Sequence, residues 1–144
     1  MRPSTLAEAV ERIQAGDPHD LALSEFVDTF LLVADDNARF ASIEHEPART
    51  NDPRLDALVG AMAEYLAKQY RLGRVPPWAG EPCRRLDEPW FTTSSEAPAM
   101  REYLAYASPA EFRSRNIFTE ERPLRRARSH LPFAAKDLQS ASAK

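Results

Sequence analysis

Apolar residues recur every three or four positions along most of the chain, which is the spacing of an α-helix with one buried face. Such a stripe predicts a first helix over residues 4–15, with Ser4 as its N-cap. A second helix, which begins at Pro18 or Asp20, has a broader apolar face and is expected to be central to the core. A short helix or extended turn is predicted over residues 37–44.

The longest helix is predicted over residues 52–72, because an N-cap aspartate followed by proline is a strong helix start. Gly73 is its expected C-cap. Prolines then interrupt residues 75–91, where we expect extended segments around a short helical turn. Trp78 and Trp90 each follow a proline-stiffened segment, so both are expected to be structural residues that pack over the long helix.

The C-terminal third predicts two further helices. The first covers residues 97–107, and its buried stripe is expected to be Met100, Tyr103, Leu104 and Ala107. A second, short helix follows Ser108, which is expected to form a capping box with Glu111 three positions later. Residues 119–128 are expected to form an arginine-rich helix or turn. The sequence contains no alternating run and no Asn-Gly or Asp-Gly hairpin, so it predicts no strand.

These elements predict an all-α, single-domain protein, an irregular bundle of about five or six helices with proline-rich connections. Twelve prolines against four glycines fit many stiff turns, and 43% hydrophobic residues are enough for one core. We expect the helical domain to cover residues 1–131 and a flexible C-terminal tail to cover residues 132–144.

The apolar content also bears on location. The chain has no run of about 18 apolar residues, so no membrane span is expected. Its N-terminus lacks the apolar core of a signal peptide, which predicts a cytoplasmic protein. Cys83 is the single cysteine, which excludes an intrachain disulfide.

Candidate catalytic groups do not cluster in the sequence. His19, His45 and His130 are far apart, and no glycine-rich phosphate loop is present. Glu44 and Glu46 flank His45, but adjacent residues do not converge on one metal ion. We therefore expect no enzymatic activity, no cofactor and no metal site.

Charge is unevenly distributed along the chain. Residues 1–100 carry a net charge of −7 and residues 101–144 carry +4, from the counts of lysine, arginine, aspartate and glutamate. The basic part has an arginine cluster interleaved with phenylalanines. The residues predicted to contact a partner are Arg113, Arg115, Phe118, Arg122, Arg125 and Arg126. Such a cluster is typical of a protein interface, of a nucleic-acid site or of a solvated surface, and the overall pI of 5.7 disfavours nucleic acid as the main ligand.

Three segments, residues 6–30, 52–78 and 88–118, resemble a group of small bacterial proteins from toxin–antitoxin-like gene pairs. The most specific parts are the block SPAEFRSRNIF, residues 108–118, and the PPW and EPWF motifs. The resemblance implies an antitoxin that binds and neutralises a nucleotidyltransferase-like toxin by direct protein–protein contact. The alternative is a small nucleic-acid-associated regulatory protein that uses the basic segment Arg113–Arg128.

Overall fold

A computed structural model describes residues 2–124, and within them the chain forms six α-helices. Their bounds are α1 Leu6–Gln14, α2 His19–Leu32, α3 Asp36–Glu44, α4 Pro53–Gln69, α5 Pro98–Ala107 and α6 Ala110–Arg113. The all-α class and the predicted number of helices are thereby confirmed. The expected domain boundary after residue 131 lies outside the described residues, as does the end of the element expected over residues 119–128. In the described part of the chain, no helix combines the length and apolarity needed to cross a membrane.

The centre of the core is α4. Every residue from Leu55 to Ala63 in this helix is buried, because α6 and the segment after α4 pack around it. Small residues such as Gly60 and Ala61 allow neighbouring elements to approach this closely. The apolar face of α2 also belongs to the core, as the sequence predicted: Leu23, Phe26 and Phe30 are buried in it, and the helix packs against α1.

Three of the predicted helix caps are displaced in the structure. Thr5 and not Ser4 caps α1, with its hydroxyl accepting a hydrogen bond from the Glu8 amide at 3.0 Å. At the end of α4, the C-cap is Tyr70 and not Gly73, and Arg71 directly after it has a left-handed backbone at φ 53°. This turn brings the Leu72 amide to the Ala67 carbonyl at 2.9 Å, and Leu72 packs against the core.

The third displaced cap is Ser108. This residue is buried at the end of α5 and does not cap α6, whose N-cap is Pro109. Its hydroxyl accepts a hydrogen bond from the Thr119 amide at 2.7 Å, and its single O–H lies within hydrogen-bonding distance of the Leu104 and Thr119 carbonyls. A partner eleven residues away therefore replaces the local capping box with Glu111.

The segment between α4 and α5 contains two 3-10 turns, Pro77–Gly80 and Pro82–Arg84. Trp78 therefore lies in a helical turn and not in the expected extended segment, since proline is also favourable at the first position of such a turn. A short parallel strand pair follows, formed by β1, Trp90–Phe91, and β2, Ile117–Phe118. Strands of two residues are too short to show an alternating pattern, and the sequence did not predict them.

Candidate partner-binding surface

Arg115 is an internal residue and does not belong to a contact surface. It is 6% exposed, and its guanidinium donates hydrogen bonds to Glu64 Oε1, the Glu111 carbonyl and the Ala79 carbonyl, each at 2.7 Å. The sequence prediction for Arg115 therefore needs correction. The physical reason is that the α6–β2 connection turns its side chain inward onto α4, where Glu64 supplies the opposite charge.

The carboxylate of Glu64 is held in its charged form by two cations. Burial of this side chain opposes ionisation, but hydrogen bonds from Lys68 and Arg115 lower the pKa of Glu64 below its ordinary value. Both contacts measure 2.7 Å. The Glu64–Arg115 ion pair thus joins α4 to the segment that leads into β2, and the Arg115 guanidinium is hydrogen-bonded inside the fold.

A second arginine, Arg84 of the 3-10 turn Pro82–Arg84, is fully buried against α4. It donates to the Pro47 carbonyl at 2.8 Å and to Glu46 Oε2 at 3.2 Å, and its guanidinium carbon lies 5.0 Å from the centre of the Trp78 ring. Arg84 and Arg115 meet over Gly60, where an added Cβ would lie 2.8 Å from the Arg84 Cβ. The sequence offered one signal for this arrangement, a glycine in the middle of a helix.

The remaining arginines of the predicted set lie near the surface or beyond the described chain. Arg113 and Arg122 are exposed, whereas Arg125 and Arg126 lie outside the described residues. Arg113 Nη1 lies 3.4 Å from the Ala105 carbonyl, which places this guanidinium beside the C-terminal half of α5. This end of a helix favours a positive charge.

Phe118 is half-buried in the strand pair. Its ring stacks on that of Phe91, with centroids 4.9 Å apart and an interplanar angle of 21°. The Arg101 guanidinium of α5 lies 4.9 Å from the Phe91 ring centre. The strand β2, which contains Phe118, contacts α5, and Phe118 itself is partly exposed to solvent.

Large side chains project from α5 in a row. Met100, Tyr103 and Tyr106 are 39%, 53% and 81% exposed, whereas Leu104 of the same helix is 5% exposed. Because they are spaced three residues apart, these side chains share one side of the helix. We name Met100, Tyr103 and Tyr106 the α5 surface. The expectation that Met100 and Tyr103 are buried with Leu104 was wrong, since α5 packs against β2 through its other side.

No family model, curated protein or solved structure matches this chain. The resemblance to antitoxin-like proteins therefore stays a prediction. Among the described residues, no group of three or more histidine, cysteine, aspartate or glutamate side chains is arranged to hold a metal ion. The row of exposed large side chains on α5 is the feature that points to contact with another molecule.

Proposed function

We propose that this protein binds a cognate protein through the α5 surface and holds it inactive, as an antitoxin does with its toxin. The observation that carries the proposal is the 81% exposure of Tyr106 in a row with the half-exposed Tyr103. Exposed aromatic rows are unusual on a surface that meets only water. Tyrosine and methionine are enriched at protein interfaces, where they supply large contact areas at a small entropic cost.

The Arg113 guanidinium, which lies beside α5, suits contact with a carboxylate of a partner. Arg113 lies against the helix backbone at Ala105, and Arg122 is exposed in the turn that follows β2. Arginine forms bidentate hydrogen bonds with carboxylates and also packs on aromatic rings. A nucleotidyltransferase-like toxin holds divalent metal through carboxylates, so its active-site rim is a chemically suitable target for these arginines.

Nucleic-acid binding remains the alternative function, and the structure makes one of its assumed contact residues unsuitable. The Arg115 guanidinium donates its hydrogen bonds to internal partners. Arg113 and Arg122 are therefore the exposed arginines of the predicted set within the described residues. Phosphate binding draws its affinity from several basic contacts. Charge reversal at Arg113 and Arg122, measured in a salt-titrated gel shift, tests this alternative.

The first experiment is co-expression with the product of the neighbouring gene. An adjacent frame that encodes a nucleotidyltransferase-like protein supplies the partner, and growth arrest by that partner should be relieved by the wild-type protein. The double variant Tyr103→Ala, Tyr106→Ala should lose this relief. Hot-spot residues cost about 2 kcal/mol or more when truncated, which is a loss of affinity of about thirtyfold for each.

The matched control is Leu32→Ala. Leu32 is an apolar residue of α2 that is 61% exposed, so its truncation tests exposed apolar area away from α5. It should leave both partner binding and growth relief unchanged. Equal relief by the double tyrosine variant and the wild type would contradict the proposal. A salt-sensitive gel shift that depends on Arg113 and Arg122, without protein binding, would favour the nucleic-acid alternative instead.

A further inference from the structure

A cavity of about 400 Å³ lies where the C-terminal end of α1 meets the N-terminal ends of α2 and α4. Ile13 and Leu55 form apolar walls, and His19, Asn51 and Asp52 bring polar groups to the same space. The cavity is wide open to solvent on one side, so a ligand in it is only partly enclosed. The residues that line the cavity are not those of the α5 surface, so ligand binding there is independent of the proposed function.

One carboxylate oxygen of Asp52 accepts hydrogen bonds, and the other has no hydrogen-bond partner in the described chain. Oδ1 accepts hydrogen bonds from the Arg54 and Leu55 amides, at 3.0 and 3.4 Å, and so caps α4. The residue is 7% exposed. Its Oδ2 atom is buried and has no hydrogen bond to any residue between 2 and 124. A buried acceptor left in this state carries a desolvation cost that a ligand can relieve.

A second residue of the cavity lining, His19, also has a buried polar atom without a hydrogen-bond partner among the described residues. Nδ1 of His19 is buried and makes no hydrogen bond within the described chain. The imidazole and the Asp52 carboxylate are near enough to interact electrostatically. When His19 carries its proton on Nε2, Nδ1 is an acceptor. Two residues that line the cavity therefore each have a buried polar atom without a partner in the described chain, and one of these atoms is a carboxylate oxygen.

We propose that this cavity binds the primary ammonium group of a small alkylamine. An ammonium has three hydrogen-bond donors and no acceptor, so it can serve both Asp52 Oδ2 and His19 Nδ1. Its charge offsets that of the buried carboxylate, and Ile13 and Leu55 suit its alkyl chain. The ammonium is supplied either by a free amine or by a lysine side chain.

The neighbouring groups disfavour two other ligand classes. Asp56 is 5% exposed beside the site, and its carboxylate accepts hydrogen bonds from the Thr50 amide and hydroxyl at 2.9 and 2.8 Å. A second buried carboxylate repels an anion. A metal ion needs more ligands than His19 and Asp52 supply, because protein sites for zinc use three or four side chains.

The test is an NMR titration of the full chain with 1,4-diaminobutane and, separately, with Nα-acetyl-lysine methylamide. Saturable shifts of the His19, Asn51 and Asp52 amides with either probe support the proposal, and the stronger probe identifies the source of the ammonium. The neutral analogue 1,4-butanediol should bind at least about tenfold more weakly, which corresponds to about 1.4 kcal/mol.

Two aspartate variants separate the site from a general charge effect. Asp52→Asn keeps an N-cap acceptor, because asparagine caps helices about as well as aspartate, but it removes the charge. Asp35→Asn makes the same change at the exposed N-cap of α3, where Asp35 accepts from the Ala38 amide at 3.1 Å. We expect binding to weaken about tenfold or more in Asp52→Asn and to persist in Asp35→Asn.

His19→Phe provides a second variant if Asp52→Asn does not fold. It should also weaken binding, since it removes Nδ1 and keeps an aromatic ring in the lining. The proposal is overturned by the absence of saturable shifts with both probes, by equal binding of the diol, or by unchanged binding in folded Asp52→Asn. Growth relief by the Tyr103→Ala, Tyr106→Ala variant tests the α5 surface and does not affect the outcome for amine binding in the cavity.

Discussion

Single residues in this protein have roles that their chemical type does not reveal. Arg84 and Arg115 are buried at 0% and 6% exposure, and both serve as internal donors to carbonyl groups. Their approach to α4 depends on Gly60, which leaves room for the Arg84 side chain. Arginine is otherwise among the residues that are rarely buried without a partner. In this fold, buried arginines act as polar cross-links between α4 and the segments around it.

The role of Gly60 is tested by Gly60→Ala. Helix propensity alone predicts that alanine stabilises a helix interior by about 0.8–1.0 kcal/mol relative to glycine. The contact predicts the opposite sign, because the new Cβ would lie 2.8 Å from the Arg84 Cβ and overpacking costs roughly 1–3 kcal/mol. We therefore expect a lower midpoint of urea unfolding.

Gly80→Ala is the matched control for this change. An added Cβ at Gly80 meets no atom within 4 Å, and the free energy of unfolding should stay within roughly 0.5 kcal/mol of that of the wild type. A Gly60→Ala protein that is more stable than the wild type would show that the two arginines move aside without cost.

At the scale of secondary-structure elements, the residue that caps a helix can also contact neighbouring helices. The start of α4 is an example, since Asp52 caps the helix while 7% exposed and lines the cavity between α1 and α2. Burial raises the pKa of the Asp52 carboxyl above its ordinary value, against the effect of its backbone hydrogen bonds. The cap therefore costs some stability whenever it is charged.

Asp52→Asn should reveal this cost through its pH dependence. A raised folded-state pKa adds stability that is present below the unfolded-state pKa, about 3.9, and is lost as the pH rises through the folded-state value. Asparagine cannot ionise and avoids that loss. We expect the free energy of unfolding of Asp52→Asn, minus that of the wild type, to increase from about pH 3 to about pH 7. Urea unfolding at several pH values measures it, and a constant difference would contradict the expectation.

At the scale of the whole molecule, the two tryptophans join distant parts of the chain. Trp78 and Trp90 are 6% and 2% exposed, as expected for structural residues. The Trp78 indole donates to the Ile43 carbonyl at 3.0 Å, which connects the 3-10 turn to α3. Trp90 pairs with Ile117 in the parallel strands, and the Arg54 guanidinium lies 5.2 Å from its ring centre. The C-terminal segment is thus attached to the start of α4.

Trp90→Ala should destabilise the protein by about 3–5 kcal/mol, the range for removing a large buried aromatic residue. Tyr106→Ala is its control, because Tyr106 is 81% exposed and its loss should change the free energy of unfolding by roughly 0.5 kcal/mol or less. Thermal and urea unfolding of both variants provide the measurement. Equal stability of the two variants would mean that Trp90 contributes little to holding β1 and β2 together.

The candidate surface was only partly predictable from the sequence. Of the arginines predicted to contact a partner, Arg113 and Arg122 are exposed, and Arg113 lies beside α5. Burial was predicted wrongly at other positions, because Met100 and Tyr103 were assigned to the core and Arg115 to the surface. A helical stripe shows which residues share a side, but it does not show which side another element covers.

The sequence by itself determined the helices. Their hydrogen bonds join residues four positions apart, so apolar spacing, N-cap aspartates and prolines were sufficient to place α1, α2, α4 and α5 and to fix the all-α class. Tertiary structure alone decided which polar residues turn inward and which aromatic residues remain outside. The Arg115–Glu64 pair spans 51 positions and the Arg84–Pro47 contact spans 37, distances over which local periodicity carries no information. Burial depends on elements that meet only after the chain has folded.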